Sequence, residues 1–373
     1  MLLFERQSMC LIEQLKQIPD HRQLRGRRHP LWMVLFLTLL GFLCGYRGYR
    51  PLADFVQQHA PDLRVSLHLS PHQPMPSYST FRRMSVFVDP QGWAAAFNVW
   101  SLATLPSALG AVLSVDGKSL RCTSVGGKTA AQNFVAFVSL YERHLGVLHL
   151  RVMENAQTSE IHVAQDALQQ VLPHLPAGQC LSLDALHTTR RTVQTIGAAQ
   201  QHYLLPVKRN RAHSHAAIEA LVTITEPQET ATAVDWTHGR EIQRQVQRFR
   251  PTPALQKTWP QLAWIGVVQR QGTRSAGSPT DETVYYITSA PWRAQQLLEA
   301  SRQHWQIENG LHWVKDVTFQ EAYPPRRGSH APVTWGIFNT FAITLARRQG
   351  WRTVPQALRV WANQLQRVFS FLV

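Results

Sequence analysis

Cysteine is scarce and scattered. Cys10, Cys44, Cys122 and Cys180 form no C-x-x-C pair. Neither a thiolate zinc site nor a disulfide framework is expected, and a reducing cytoplasm suits such a chain. Long apolar runs are also missing. LWMVLFLTLLGFLCG, from Leu31 to Gly45, has 15 residues, short of the roughly 20 that cross a bilayer. It lies too far from the start for a signal peptide, and no small-residue cleavage site follows. A buried helix is expected there, and no membrane partner. No internal repeat or low-complexity tract appears.

Acids are few: 23 against 38 basic residues, a formal net charge of +15. Of the basic residues only six are Lys and 32 are Arg. A guanidinium grips phosphate through a planar two-pronged fork, so this excess favours a nucleic-acid partner. A soluble basic protein with no polyanion partner is the other reading. The charge is uneven: residues 1–100 carry +5, residues 101–235 are neutral, and residues 236–373 carry +10. A catalytic middle with polyanion-holding flanks would distribute charge in this way. The length suits two domains, or one with an insertion, and a 44% hydrophobic content supports a substantial core.

Residues 1–104 read as a small helical domain. MCLIEQLKQI and the 31–45 run have helical apolar spacing, and Pro51 opens PLADFVQQH. In MPSYSTFRRM, Ser77 is a candidate N-cap and the next turn projects Arg82 and Arg83. That describes either a DNA-recognition helix or a capped core helix. The texture changes in residues 105–373. AVLSVDGKSLR, FVAFVSLYE and GVLHLRVM are β-rich runs, followed by a helix capped by Thr158 or Ser159, the strand CLSLDAL, a helix from about Thr188 and the strand HYLLPVK. This order predicts an α/β sheet with helices on its faces. Residues 209–290 read as a β-rich, Arg-rich insertion with an exposed loop at 269–282. A long helix from about Trp292 and helices near 332–349 and 353–371 complete the chain.

The chemistry centres on three acids. In SRQHWQIENGLHWVKDVTF, helical periodicity makes Ile307, Leu311 and Val314 a core stripe. His304, Glu308, His312 and Lys315 lie beside it, within about 80° of arc. On the helix alone, Glu308 is either a metal ligand or a solvated carboxylate. Trp305 and Trp313 are expected to pack in the core, stacking of one on an extruded base being the alternative, and Lys315 to meet backbone phosphate. Asp116 in LSVDGKS and Asp184 in LSLDALH each follow Leu-Ser-aliphatic in a β-rich stretch. Charges there need partners, and paired carboxylates tolerate one another around a divalent cation. Oxygen ligands favour Mg²⁺ or Mn²⁺, and two such ions activate a water or 3′-hydroxyl against a phosphodiester. A rival zinc site would use His304, Glu308 and His312, but it leaves both aspartates unexplained and lacks the H-E-x-x-H order. Lys118 and Arg121, just after the first Asp, either meet phosphate or solvate the surface. His187 reads as a helix-start or satisfied core residue.

These residues resemble the DDE transposases of bacterial insertion sequences, in the branch of the H-repeat-associated proteins. The resemblance lies in PDHRQLRGRRHPLW, GYRGYRPLADF, PSYSTFRRM, VDGKSLR, DALHTT, YLLPVKRN and RQHWQIENGLHWVKDVTF, in the family's order. It implies a ribonuclease-H-like core with the catalytic, metal-binding triad Asp116, Asp184 and Glu308 and a β-rich insertion between the second Asp and the Glu. It also implies double-stranded DNA as substrate, and a homodimer bridging two element ends. The family signature Y-x2-R-x3-E-x6-K falls on Ser301, His304, Glu308 and Lys315: the Lys agrees, His replaces Arg as in this branch, and the Tyr is absent. Lys208, in PVKRN, gains a DNA role from the same resemblance. After Phe319 the match weakens, for Glu321 is followed by Ala322 where the family continues with an acidic pair. The implied activity is metal-dependent strand cleavage and strand transfer; the alternative is a catalytically idle, transposase-derived DNA-binding protein.

Overall fold

The computed structural model describes residues 11–106, 109–110, 112–125, 133–237, 240–273 and 279–373; Cys10 and the middle of the expected loop, residues 274–278, lie outside these. Six helices come first: α1 (Leu11–Lys16), α2 (Leu31–Leu43), α3 (Tyr49–Gln58), α4 (Ala60–Ser66), α5 (Tyr78–Phe87) and α6 (Pro90–Ala103). The apolar run forms α2, which is buried on almost every side. Among the described residues no helix is long and apolar enough to cross a membrane. α6 begins where the Asp89 carboxylate accepts from the Gln91 and Gly92 amides and Pro90 takes the first turn.

Next come β1 (Val112–Ser119), β2 (Val135–Glu142), β3 (Gly146–Glu154), α7 (Glu160–Val171), β4 (Cys180–Leu183), α8 (Arg190–Ala198) and β5 (His202–Val207), in the expected alternation. Ser159 caps α7 and Thr189 caps α8. The 209–290 segment supplies α9 (Ala212–Ile224), β6 (Glu229–Thr237), β7 (Arg240–Phe249), α10 (Pro253–Thr258), β8 (Trp264–Thr273) and β9 (Pro279–Thr288). β8 and β9 run well into the stretch expected to be loop. Among the described residues the nine strands form one sheet, ordered β3-β2-β1-β4-β5-β9-β8-β7-β6. β1, β4 and β5 are parallel, and β9 pairs antiparallel with β5. The β-rich segment therefore extends the first sheet.

The sheet lies between helical layers. Leu113, Val115, Leu181, Leu183 and Leu205 turn to one face, where they meet Val163 and Leu168 of α7 and Val193 of α8. Val112, Cys180 and Leu204 turn to the other, where α11 (Ala294–His304) packs Leu297, Leu298 and Ala300. A turn of π-helix, Glu308–His312, and α12 (Trp313–Val317) follow α11, so the expected long helix is interrupted at its most polar point. The chain ends in α13 (Ala331–Arg348), α14 (Val354–Trp361) and α15 (Leu365–Leu372). The last two replace the single helix expected over 353–371; between them Asn363 adopts a left-handed φ of 58°. The first and last helices share one core: Trp93 and Phe97 of α6 meet Phe341 of α13 at centroid distances of 5.1 and 4.8 Å.

His149 of β3 is buried, and that burial, reinforced by Arg151 and His174, pushes its pKa down to about 4. The folded protein keeps it neutral, whereas the unfolded chain protonates it near the ordinary value of 6.5. Its contribution to stability is therefore whole above pH 6.5 and is lost progressively as pH falls towards 4. Between pH 7.5 and pH 5 the wild type should lose about 2 kcal/mol more than His149→Gln, read from urea midpoints. Equal losses would assign the acid sensitivity elsewhere.

Candidate active site

The register of β1 and β4 brings the two aspartates together. Val115 pairs with Leu183, so Asp116, within β1, and Asp184, just past the end of β4, stand side by side where the parallel pairing of the two strands stops. Neighbouring strands lie about 4.8 Å apart, and alternation turns both residues to the face covered by α11. Asp116 Oδ1 accepts from the Gly117 amide at 2.8 Å, and Asp184 Oδ1 from the Ala185 amide at 2.6 Å. Burial pushes the Asp116 carboxyl up; His312 and the Gly117 amide oppose this, while Glu160 and Asp184 add to it.

Glu308 reaches the same place from the π-helical turn. His312 Nδ1 donates to Glu308 Oε2 at 3.1 Å and lies 3.5 Å from Asp116 Oδ2. This hydrogen bond is the main reason the Glu308 carboxyl sits below its usual range. One ligand-capable atom each from Asp116, Glu308 and His312 lie within 4.8 Å of one another. π-helical turns are rare and concentrate at functional sites. This one is seated by Gly310, because a side chain there would collide with the Tyr141 hydroxyl of β2. Arg347 of α13 donates to the Gly310 carbonyl at 3.1 Å.

The other expected residues divide. His304 lies beside the site, its Nδ1 2.9 Å from Ser182 Oγ on β4; burial lowers its pKa, with Asp184 opposing. Lys208 Nζ, on a mostly exposed side chain, is 3.7 Å from Asp184 Oδ1. Lys118 Nζ donates to Asp316 Oδ2 at 2.6 Å. Arg121, Arg82 and Arg83 are exposed, the first just beyond β1 and the others on α5. Ile307, Leu311 and Val314 are buried as their spacing predicts.

Three expectations need correction. Trp305 and Trp313, expected in the core, are 58% and 54% exposed. Lys315, expected at a phosphate, is 1% exposed: its ammonium lies 4.3 Å from the Phe137 ring centre and 3.7 Å from Glu321 Oε1. Asn339 of α13 donates to that same oxygen at 2.8 Å. At ~100° per residue Trp305 and Trp313 fall more than about 100° from Ile307, away from the core stripe, so their exposure follows the spacing and it was their apolar character that misled. Lys315, beside the stripe, is drawn into the core by Phe137 and Glu321. Among the described residues the cluster at Glu308 takes in Asp116 and His312, while His304 bonds Ser182, so the His-Glu-His set of the rival zinc reading does not assemble. Sequence reasoning gave His312 a role only in the rival zinc site, although its position four residues after Glu308 was a signal of the contact it makes. It missed Glu160 altogether, because an acid in a helix's first turn is usually a dipole partner.

Two aspartates where adjacent parallel strands part, met by a Glu from a distant helical turn, point to a class, and the family comparison names it. The chain belongs to the DDE transposases: the family described as "Transposase DDE domain" matches residues 108–337, and "DDE_Tnp_1-associated" matches residues 12–101. More particularly, it is similar to "Putative transposase YncI" of Escherichia coli O157:H7, 26% identical over 348 residues, covering 90% of this chain and 87% of that protein. "H repeat-associated putative transposase YhhI" of E. coli K12 is 26% identical over 339 residues, 88% of each chain. An uncharacterized protein encoded in the dhlA 3′ region of Xanthobacter autotrophicus is 29% identical over 234 residues, 61% of this chain and 77% of its own length.

Lys315→Met should destabilise the fold by roughly 3–5 kcal/mol, because it leaves Glu321 buried without its cation. Adding Glu321→Gln should recover most of that loss. The salt dependence of DNA binding should not change in the folded double variant; a shallower slope would place the ammonium at a phosphate after all.

Proposed function

We propose that this protein is an insertion-sequence transposase that cleaves DNA strands at the ends of its element and joins them to a target, on a ribonuclease-H-like core. One observation carries the reading: Asp116 and Glu308, far apart in sequence, meet at His312 Nδ1, with Asp184 ending the neighbouring strand. A divalent cation fits this donor set. Two carboxylates are brought close with only an imidazole between them, and oxygen-rich sites of this kind suit Mg²⁺ or Mn²⁺. When bound, a pair of such ions would activate the attacking oxygen and stabilise the leaving one.

The chain's own groups account for the remainder. Asp116, Asp184 and Glu308 would hold the ions, the aspartates kept in place by the Gly117 and Ala185 amides. Lys208, exposed beside Asp184, is placed to take a phosphate oxygen next to the scissile bond. His304, tied to Ser182, borders the same edge. Lys118 and Arg121, and Arg82 and Arg83 of the helical residues 1–104, extend the DNA-holding surface. In each step an oxygen of water or of a 3′-hydroxyl forms a bond to phosphorus as the bond to the leaving oxygen breaks. Two copies of the chain would bridge the two ends of the element.

The test is cleavage of a labelled duplex carrying the element ends, with Mg²⁺ or Mn²⁺ added. Wild type should nick at the ends only with metal, and Asp184→Asn should lower the rate about a thousandfold, a loss of about 4 kcal/mol of transition-state stabilisation. Salt-sensitive binding by both folded proteins with no cleavage by either would establish the idle DNA-binding alternative. Equal cleavage by both would overturn the triad.

A further inference from the structure

A fourth acid stands behind the triad. Glu160 opens α7 on the opposite face of the sheet, with its carboxyl against Gly117: a Cβ built on that glycine would lie 2.5 Å from the Glu160 carboxyl carbon. Gly117 is also the residue whose amide fixes Asp116 Oδ1. The Glu160 carboxylate is held in turn by His187, whose Nε2 lies 3.0 Å from Oε1. His187 is wholly buried, so the imidazole cannot swing to water. A carboxylate only accepts, so Nε2 carries the proton and donates. His187 closes the helical turn that Asp184 begins, its own amide donating to the Asp184 carbonyl at 2.9 Å.

These contacts form an unbroken bracket from one aspartate to the other: Asp116, Gly117, Glu160, His187, Asp184. We propose that Glu160 is a positioning residue which, through His187 and Gly117, sets the separation of the two aspartates and so the affinity of the site for divalent cations. The inference rests on the metal-binding reading above. Backbone pairing between β1 and β4 ends at Val115 and Leu183, one residue before the aspartates. Beyond that point β1 remains paired with β2 but no longer with β4, and the bracket links the two aspartates across the gap. It also explains the glycine after Asp116, since any side chain there would displace Glu160. Groups that orient metal-binding carboxylates change affinity by roughly 10–100-fold when removed.

The experiment is Mn²⁺ binding to the full chain without DNA, followed by electron paramagnetic resonance, alongside Mn²⁺ titration of cleavage. Glu160→Ala and His187→Leu should each raise the half-saturating Mn²⁺ roughly tenfold. Glu160→Gln and His187→Gln, which keep an acceptor and a donor in place, should stay within about threefold of wild type by the same measure. Gly117→Ala retains every polar group and should behave like Glu160→Ala; it serves as the arm to read where the larger truncations fail to fold. Wild-type affinity in folded Glu160→Ala or Gly117→Ala would overturn the bracket. So would a Gln variant as weak as the Ala variant, which would make Glu160 a ligand by its charge. A wild-type chain that takes up no Mn²⁺ would overturn the metal reading itself, a result distinct from the other two.

Discussion

The parallel pairing of β1 with β4 is the constraint on which the site depends. Two aspartates will not approach one another unaided, and in the folded chain they are brought near by backbone hydrogen bonds between Val112–Val115 and Cys180–Leu183. The side chains of those strands, buried on both faces, contribute the stability that offsets the repulsion. Burial around Asp116 raises its carboxyl, and the imidazole of His312 opposes that rise. An arrangement of this kind is costly to keep without a cation and well prepared for one.

The third acid depends on different forces. Glu308 belongs to no strand; it sits where α11 gives way to the π-helical turn. The turn is pressed onto Tyr141 of β2, gripped by Arg347 of α13 and anchored by Ile307 and Leu311 in the core that the first and last helices share. The terminal helices therefore bear directly on the geometry of the site. Lys315 belongs to the same construction: with Glu321 and Asn339 it forms a buried polar contact between α12 and α13, some way from where a phosphate could meet it.

Much of this was legible because it is local. A Leu-Ser-aliphatic run ending in Asp marks a buried strand that carries a charge: β4 closes just before Asp184, and β1 carries Asp116 within it. The stripe of Ile307, Leu311 and Val314 was readable because helical spacing holds for the residues that touch the core. The two tryptophans were misplaced by their apolar character, against a spacing that turns them away from the stripe, and Lys315 by its charge, which finds Glu321 inside the protein. The π turn arises from a fit between Gly310 and Tyr141, residues far apart in the chain, and no local pattern encodes it.

By itself the sequence determined most of the strands and helices and their order, the candidate acids and the basic character of the flanks, because propensity, period and charge are carried by neighbouring residues; α9, β6 and α10 within 209–290 were not legible in it. Only the tertiary structure decided which strands adjoin. It decided that β9 seats on β5 and extends one sheet, that His312 comes between Asp116 and Glu308, and that Glu160 backs Gly117. Those are contacts between distant segments, fixed by how whole faces pack.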